Sequence, residues 1–302
     1  MKIVENQVLD YETSNFSEDE PEWLVGTLYN YGNEARDGHY IYKYAGIVLE
    51  SNTTDSPSVD SLKVAPKWIN IRPTNYYAML DGKTSTQTVN ADTITVVVVG
   101  GNYDALSLLE LDAKSVDISL YDVTTNAVVY TESFDLINNS DVFDFYSYAF
   151  NPFEFLPSIY TDKIYLYTDT KLTITINNIG GIAKCGRLVY GRSYYVGETG
   201  YGANLTVESY SHKETDEFGN VSLIHRGGVN IDSYEVQTPT SKIPTLRRKG
   251  TELDAIPILF VMDESATSNT ENLLNFGYWD RFSIILPDPI KSTISLDIKG
   301  IL

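Results

Sequence analysis

Short runs that alternate apolar with polar residues, or that are apolar throughout, recur along this chain and limit its fold more than any other feature. Residues 40–44 read YIYKY, and residues 93–99 read TITVVVV. Runs of this length, rich in β-branched and aromatic side chains, are typical of strands. No stretch carries the sustained 3.6-residue period of a long helix. The pattern therefore predicts an all-β protein.

Predicted strands extend through both halves of the chain. In the first half they cover residues 40–44, 68–71, 93–99, 115–121, 128–134, 163–167 and 171–176. In the second half they cover residues 204–210, 221–226, 229–236, 256–262, 281–286 and 293–298. Turn-forming residues predict a hairpin loop at 122–126, a sharp turn at Gly180–Gly181 and a hairpin or bulge at Gly227–Gly228. One short helix is predicted between Pro244 and Leu253.

Composition and turn signals divide the chain into three parts. Residues 1–38 are acidic and aromatic and are predicted to form an extended arm. Residues 39–199 are predicted to form a jelly-roll β-sandwich, and residues 200–302 a second β-rich domain with at most one or two short helices. The arm carries Trp23, Tyr29 and Tyr31, which is more aromatic surface than disordered tails usually have. We therefore expect these three side chains to contact a neighbouring subunit.

The charge of the chain argues against tight nucleic-acid binding. Forty-one acidic residues against 22 Lys and Arg give a formal net charge of -19, whereas phosphate backbones are bound by clustered cations. An acidic surface would instead let DNA pass without adhering. The one dense basic cluster, Arg247-Arg248-Lys249, is a candidate contact with a neighbour's acidic surface, and a solvated helix face is the alternative.

No residue pattern indicates catalysis or a cofactor. Cys185 is the only cysteine and cannot form an internal disulfide, and the three histidines sit in no recognisable protease or zinc signature. Several aspartates lie in or beside turns and could ligate calcium, but none has the spacing of a calcium loop. These are Asp55, Asp60, Asp81 and Asp104. We expect no catalytic residue, no metal and no cofactor.

Hydropathy indicates no membrane insertion, since no apolar run approaches the ~18 residues that a spanning helix needs. The start of the sequence turns polar within a few residues, over residues 1–6, and lacks the apolar core of a secretory signal. We therefore expect the protein to be made and kept in a cytoplasm, or assembled from one.

The stretch from Arg72 to Thr86 is the most distinctive in the sequence, because its Asp81-Gly82 turn precedes a short Ser/Thr run. It resembles a loop of galactose-binding-like, or discoidin-like, jelly rolls, and the resemblance covers roughly residues 61–199. The resemblance implies a sandwich that in some members binds a sugar or a structural calcium and in others is only a spacer. The candidate contacts on this loop are Asn75, Tyr76, Tyr77 and Asp81.

The same loop, together with residues 189–192, 197–202 and 210–226, resembles virion structural proteins of tailed bacteriophages. That resemblance implies a non-enzymatic subunit of a tail or neck, in a tube, sheath or collar ring, located in the virion after assembly in the host cytoplasm. Its partners would be further copies in a cyclic oligomer, other tail or neck proteins, and DNA passing through an acidic lumen. Two alternatives stay open: a module that binds host carbohydrate through Tyr and Trp platforms, and a glycan-degrading tail enzyme with a carboxylate pair across a cleft.

Overall fold

The structure is a computed structural model, and it describes residues 1–7, 11–18, 20–46, 55–99, 101, 103–138, 142–150, 154–164, 169–200, 202–215, 217–262 and 274–301. Strands dominate it and helices are short, which confirms the predicted all-β class. No helix in the described ranges is long and apolar enough to cross a membrane.

The strands of the first half are β1 (Lys2–Asn6), β2 (Tyr11–Ser14), β3 (Glu34–Asp37), β4 (Tyr40–Tyr44), β5 (Trp68–Pro73), β6 (Thr88–Val99), β7 (Ala105–Asp112), β8 (Ser115–Asp122), β9 (Ala127–Asp135), β10 (Ile137–Asn138), β11 (Glu154–Phe155) and β12 (Ile159–Thr161). Those that follow are β13 (Thr170–Tyr195), β14 (Glu198–Thr199), β15 (Asn204–Ser209), β16 (His212–Thr215), β17 (Val221–Ile224), β18 (Gly228–Pro239), β19 (Ile258–Val261), β20 (Leu274–Ile285) and β21 (Lys291–Gly300). The helices are α1 (Pro57–Asp60), α2 (Phe145–Phe150) and α3 (Ile243–Glu252), with 3₁₀ turns at Ala78–Leu80 and Thr240–Lys242.

Strand β13 belongs to two layers of the first half and joins them. Its first part, Thr170 to Asn177, lies between β6 and β8. Its later part pairs with β7 through residues 184–191 and with β1 through residues 191–195. The two layers enclose an apolar core of β-branched and leucine side chains. The arrangement is sandwich-like, because one strand turns a corner from one layer into the other.

The corner in β13 corrects the prediction of a sharp turn at Gly180–Gly181. The pairing of β13 with β6 is interrupted between Asn177 and Ile182 and then resumes, so the two glycines form an irregularity within one strand. Gly180 has φ +81°, and its amide donates to Oδ1 of Asp92, which lies on β6 with φ 61°. Because both paired strands adopt left-handed geometry here, they bend together.

The second half extends the sheet in the order β19-β20-β21-β18. Apolar side chains of these strands pack beneath α3, which contributes Leu246. Helix α3 agrees with the predicted helix, and the strands contain most residues of the runs predicted there. In the first half, the run predicted at 163–167 lies mainly outside the described residues. Its described part, Lys163–Ile164, is coil after β12.

Strand β1 joins the two halves. It lies between β13 and β19, and Ile3 and Val4 are buried. Residues 2–6 are therefore a central strand and not the start of an extended arm. Two apolar residues are too short a pattern to predict a strand. The strands that pair with this segment are also remote in sequence, so no local signal indicates them.

A separate three-stranded sheet, β3-β4-β5, accounts for much of the remaining predicted arm. Its small core contains Tyr42, Tyr44 and Trp68, and Tyr29 packs on Trp68 with ring centroids 4.9 Å apart. Residues 40–44 belong to this sheet, and not to the predicted jelly roll of residues 39–199.

Candidate functional site

A long β-hairpin projects from the edge of the second half. Strands β15, β16, β17 and the start of β18 form it, and its turn includes residues 217–220. Strand β18 pairs with β21 only from Ile231 onward. Beyond that point the hairpin has no third strand among the described residues. Nine residues from Val207 to Thr215, at ~3.3 Å each, give it a reach of about 30 Å.

Side chains complete the ladder where the hairpin changes register. The hydroxyl of Ser211 donates to the carbonyl of Arg226 and accepts from the amide of the same residue, both at 3.1 Å. The Tyr210 amide donates to the Gly227 carbonyl. At the base, Lys299 Nζ lies 2.6 Å from a carboxylate oxygen of Glu208. The Ser211 and Tyr210 contacts hold β15–β16 against β17–β18 as one continuous ribbon, and the Lys299–Glu208 ion pair connects β15 to β21.

The hairpin exposes apolar side chains along its length. Their exposed fractions run from 51 to 89%, in Leu205, Val207, Phe218, Val221, Leu223 and Ile224. A two-stranded ribbon is marginally stable alone in water and gains stability when an apolar face packs against a further layer. The hairpin therefore has the composition of a strand pair that a partner covers.

A second exposed apolar surface surrounds α2, between β10 and β11. It consists of Phe143, Phe145, Tyr146, Tyr148 and Phe150, each at least 66% exposed. The rings of Tyr146 and Phe150 lie 4.8 Å apart, as expected one helical turn apart. This cluster is not among the predicted contacts, although seven aromatic residues between 143 and 155 are a clear compositional signal.

The basic cluster on α3 is divided between two roles. Arg247 and Arg248 face solvent, and within the described part of the chain the ion pair of Arg248 is a 3.7 Å contact with Glu252. Lys249 instead lies 2.7 Å from Glu5 of β1 and 4.6 Å from the centre of the Tyr194 ring. The Glu5 carboxylate raises the pKa of Lys249. Lys249 thus connects α3 to the central sheet, and the two arginines remain available for a partner.

The three aromatic residues predicted as interface contacts differ in their exposure to solvent. Trp23 is half-buried on the core of the small sheet, and Tyr29 is buried there with its hydroxyl accepting from the Leu24 amide at 2.9 Å. Tyr31 is 72% exposed. Of the three, Tyr31 has the exposure that an intersubunit contact needs.

The predicted loop contacts connect parts of the chain. Asn75 pairs through its side-chain amide with the backbone of Val89, at 2.8 and 2.9 Å. Tyr76 bonds to the Tyr11 carbonyl, and Tyr77 stacks on His39 at 4.3 Å between ring centres. Asp81 accepts from the Lys83 amide and the Thr86 hydroxyl. The structure brings the four residues together, but the polar groups of Asn75, Tyr76 and Asp81 and the ring of Tyr77 are engaged within the subunit.

The turn aspartates are engaged in the same way. Asp60 accepts from the amides of Lys67 and Trp68, and Asp104 accepts from the amide and hydroxyl of Ser193. Within the described ranges, no three His, Cys, Asp or Glu side chains are grouped so as to hold a metal ion. Cys185 is fully buried, and burial raises the pKa of its thiol to about 12, so it has no thiolate character near neutral pH.

No family model matches the chain, and no curated protein matches its sequence significantly.

Proposed function

We propose that the protein is a non-enzymatic structural subunit that assembles with copies of itself into a closed ring through the projecting hairpin. The observation that supports this most strongly is the run of exposed apolar residues on the hairpin, which a single subunit leaves in water. Burying a Val or Leu side chain contributes about 1.5–3 kcal/mol, so covering several of them would stabilise an interface substantially.

Open strand edges support assembly by strand and arm contacts. In the part of the chain that is described, β9 pairs only with β8, and β15 pairs only with β18. Unpaired edges of this kind recruit further strands unless they are protected. A head-to-tail contact in which one subunit's hairpin lies on the next subunit generates a ring when the rotation closes.

Charge favours a second copy as the partner. The chain carries -19 overall, while Arg247 and Arg248 form an exposed basic site on α3. A copy of this chain is an acidic surface that such a site can contact. We place the ring in the tail or neck of a tailed-phage virion because of the motif resemblance, with other tail or neck proteins as further partners. An acidic lumen would suit a tube that conducts DNA.

The test is to remove apolar surface from the hairpin and measure assembly. Val221 and Leu223 lie two residues apart on β17 and so point to the same face of the ribbon. We expect the wild-type chain to form rings visible by electron microscopy, with a defined mass by light scattering. We expect Val221→Ser combined with Leu223→Ser to weaken self-association tenfold or more, since ~1.4 kcal/mol corresponds to a factor of ten.

Leu62→Ser combined with Val64→Ser is the matched control. Both residues are highly exposed but lie far along the chain from the hairpin, so this variant should assemble like the wild type. A wild-type chain that stays monomeric at high concentration, or equal loss of assembly in both double variants, would show that the hairpin does not drive association.

A further inference from the structure

A cavity of about 460 Å³ lies beside the base of the hairpin. Its walls come from the end of β7, residues 157–158, the starts of β15, β18 and β20, and residues 300–301. The two halves of the molecule meet around it. The volume falls within the ~300–1,000 Å³ typical of small-molecule sites.

Asp232 occupies a position in this cavity where the strand pattern calls for an apolar residue. It lies on the row of β18 that also carries Tyr234 and Val236, which are both buried in the core of the second half. Asp232 itself is only 6% exposed, and its carboxylate accepts a hydrogen bond from Nδ2 of Asn275 at 2.7 Å. Burial raises the pKa of Asp232, and the Asn275 hydrogen bond opposes that rise. Burying a carboxylate costs free energy of folding, so a carboxylate at this position indicates a role other than stability.

Ser158 provides a second buried polar group, and the fold leaves its hydroxyl without a hydrogen-bond partner among the described residues. It lines the same cavity and is only 8% exposed. Buried hydroxyls normally have a partner, so an exception beside a cavity points to a ligand atom.

The rest of the lining indicates the chemistry of that ligand. The cavity wall contains the carboxylates Glu110 and Asp232 and, in the described ranges, no Lys, Arg or His, so it is unsuited to an anion. Phe276 and Leu205 add apolar surface between the polar groups. An ammonium group could use only the acceptors, whereas a hydroxyl can donate to Asp232 and also donate to or accept from Ser158. A carbon ring bearing several hydroxyls matches both the polar and the apolar parts of the wall.

We propose that this cavity binds a neutral, hydroxyl-rich ligand of the size of one or two sugar units, with Asp232 and Ser158 as its hydrogen-bonding partners. The site adjoins the assembly surface, because Leu205 and Val207 belong both to the cavity wall and to the exposed apolar residues of the hairpin. Asp232 and Ser158 do not belong to that exposed set, so substitutions at these two residues test ligand binding separately from ring assembly. A ligand here would also supply the missing partner of the Ser158 hydroxyl.

The experiment is saturation-transfer NMR and calorimetric titration of the full chain with D-galactose, D-glucose, N-acetyl-D-glucosamine and lactose, with n-butylammonium as a cationic probe. At least one saccharide should bind. Asp232→Asn should weaken that binding tenfold or more, and Ser158→Ala should weaken it severalfold. Asn can still accept from Asn275, so circular dichroism of Asp232→Asn should match that of the wild type.

Glu235→Gln is the control, because it removes the same charge from an exposed position on the same strand. It should bind saccharide like the wild type. The proposal is overturned if no saccharide binds, if only the ammonium probe binds, or if Asp232→Asn and Glu235→Gln bind equally well.

Discussion

Individual polar residues in apolar surroundings distinguish this protein from an ordinary sandwich. Asp232 and Asn275 hold each other beside the cavity, and Arg187 is 3% exposed with its guanidinium 4.9 Å from the centre of the Phe276 ring. Each group loses hydration that its few contacts only partly replace. Because Phe276 lines the cavity, these residues concentrate buried polarity around one place in the fold.

The Asp232 carboxylate should make the stability of the protein depend on pH in a defined direction. Its pKa is higher in the folded chain than in the unfolded chain, so the folded state holds its proton to higher pH, and stability falls as pH rises through the folded pKa. Asp232→Asn removes that loss. Urea unfolding at about pH 4 and about pH 7.5 should show the variant gaining on the wild type at the higher pH, by ~1.4 kcal/mol for each unit of the pKa rise.

Asp122→Asn provides a control of opposite sign. The Thr125 hydroxyl and the Thr124 amide donate to Asp122, and these bonds lower the pKa of its carboxyl. Its stabilising effect is present above the unfolded pKa and lost in acid, so Asp122→Asn should be most deficient near neutral pH. The same pH trend in both variants would contradict this account.

At the scale of secondary structure, local pattern predicted the strands that alternate apolar with polar residues or consist of β-branched runs. β6, β8 and β21 alternate or carry β-branched runs, and the helix predicted between Pro244 and Leu253 is α3. Strand β7 was missed because five successive residues, Ala105 to Leu109, are buried and show no alternation. β1 and the continuous β13 depend on partners far away in the chain, which no local window contains.

The candidate sites likewise fall into two groups: those built from residues adjacent in sequence, which can be predicted, and those that only the fold assembles, which cannot. A local cluster such as Arg247-Arg248 is visible in sequence, although the use of Lys249 inside the subunit is not. The cavity could not be predicted, because Ser158, Asp232 and Asn275 are widely separated and only the sheet topology brings them to one place. The aromatic cluster at α2 could have been found from composition alone.

Two glycines of β13 should respond very differently to alanine. A Cβ on Gly191 would lie 1.8 Å from the Glu5 carbonyl oxygen, so Gly191→Ala must displace β1 from the sheet. We expect a loss of about 3 kcal/mol or more. At Gly180 no atom lies within 4 Å of the added Cβ, and only the φ of +81° is unfavourable, which costs about 1–2 kcal/mol. Denaturant unfolding measures both losses, and equal values would show that β1 does not need this close approach.

For the whole molecule, the excess of negative charge must be reconciled with assembly. A net charge of -19 exceeds the magnitude of roughly 2–8 that suffices to keep a small domain soluble, although this chain is larger than such a domain. Identical acidic subunits repel one another unless basic groups lie at their contacts. We therefore expect an uneven distribution, with one surface of the ring strongly negative and Arg247 and Arg248 directed toward a neighbour.

Charge reversal on α3 tests this distribution. Arg247→Glu combined with Arg248→Glu should weaken ring formation severalfold at low salt, and the deficit should shrink near 1 M salt, where the Debye length is only ~3 Å. Lys83→Glu combined with Lys163→Glu changes the net charge equally at other positions and should have a smaller effect, with sedimentation velocity as the measurement. Equal weakening by both pairs would mean that total charge, and not its placement, governs assembly.

The central position of β1 also determines how early during synthesis the main sheet can form. The ribosome delivers residues 2–6 early, but their partners on β13, residues 191–195, follow about 190 residues later, and those on β19 later still. At ~5–20 residues per second, roughly 10–40 s pass before the first partner strand is made. During that interval Ile3 and Val4 have no sheet to enter. The two halves therefore join only after β19 has been made, and we expect a chaperone that holds residues 2–6 until then to increase the yield of folded protein.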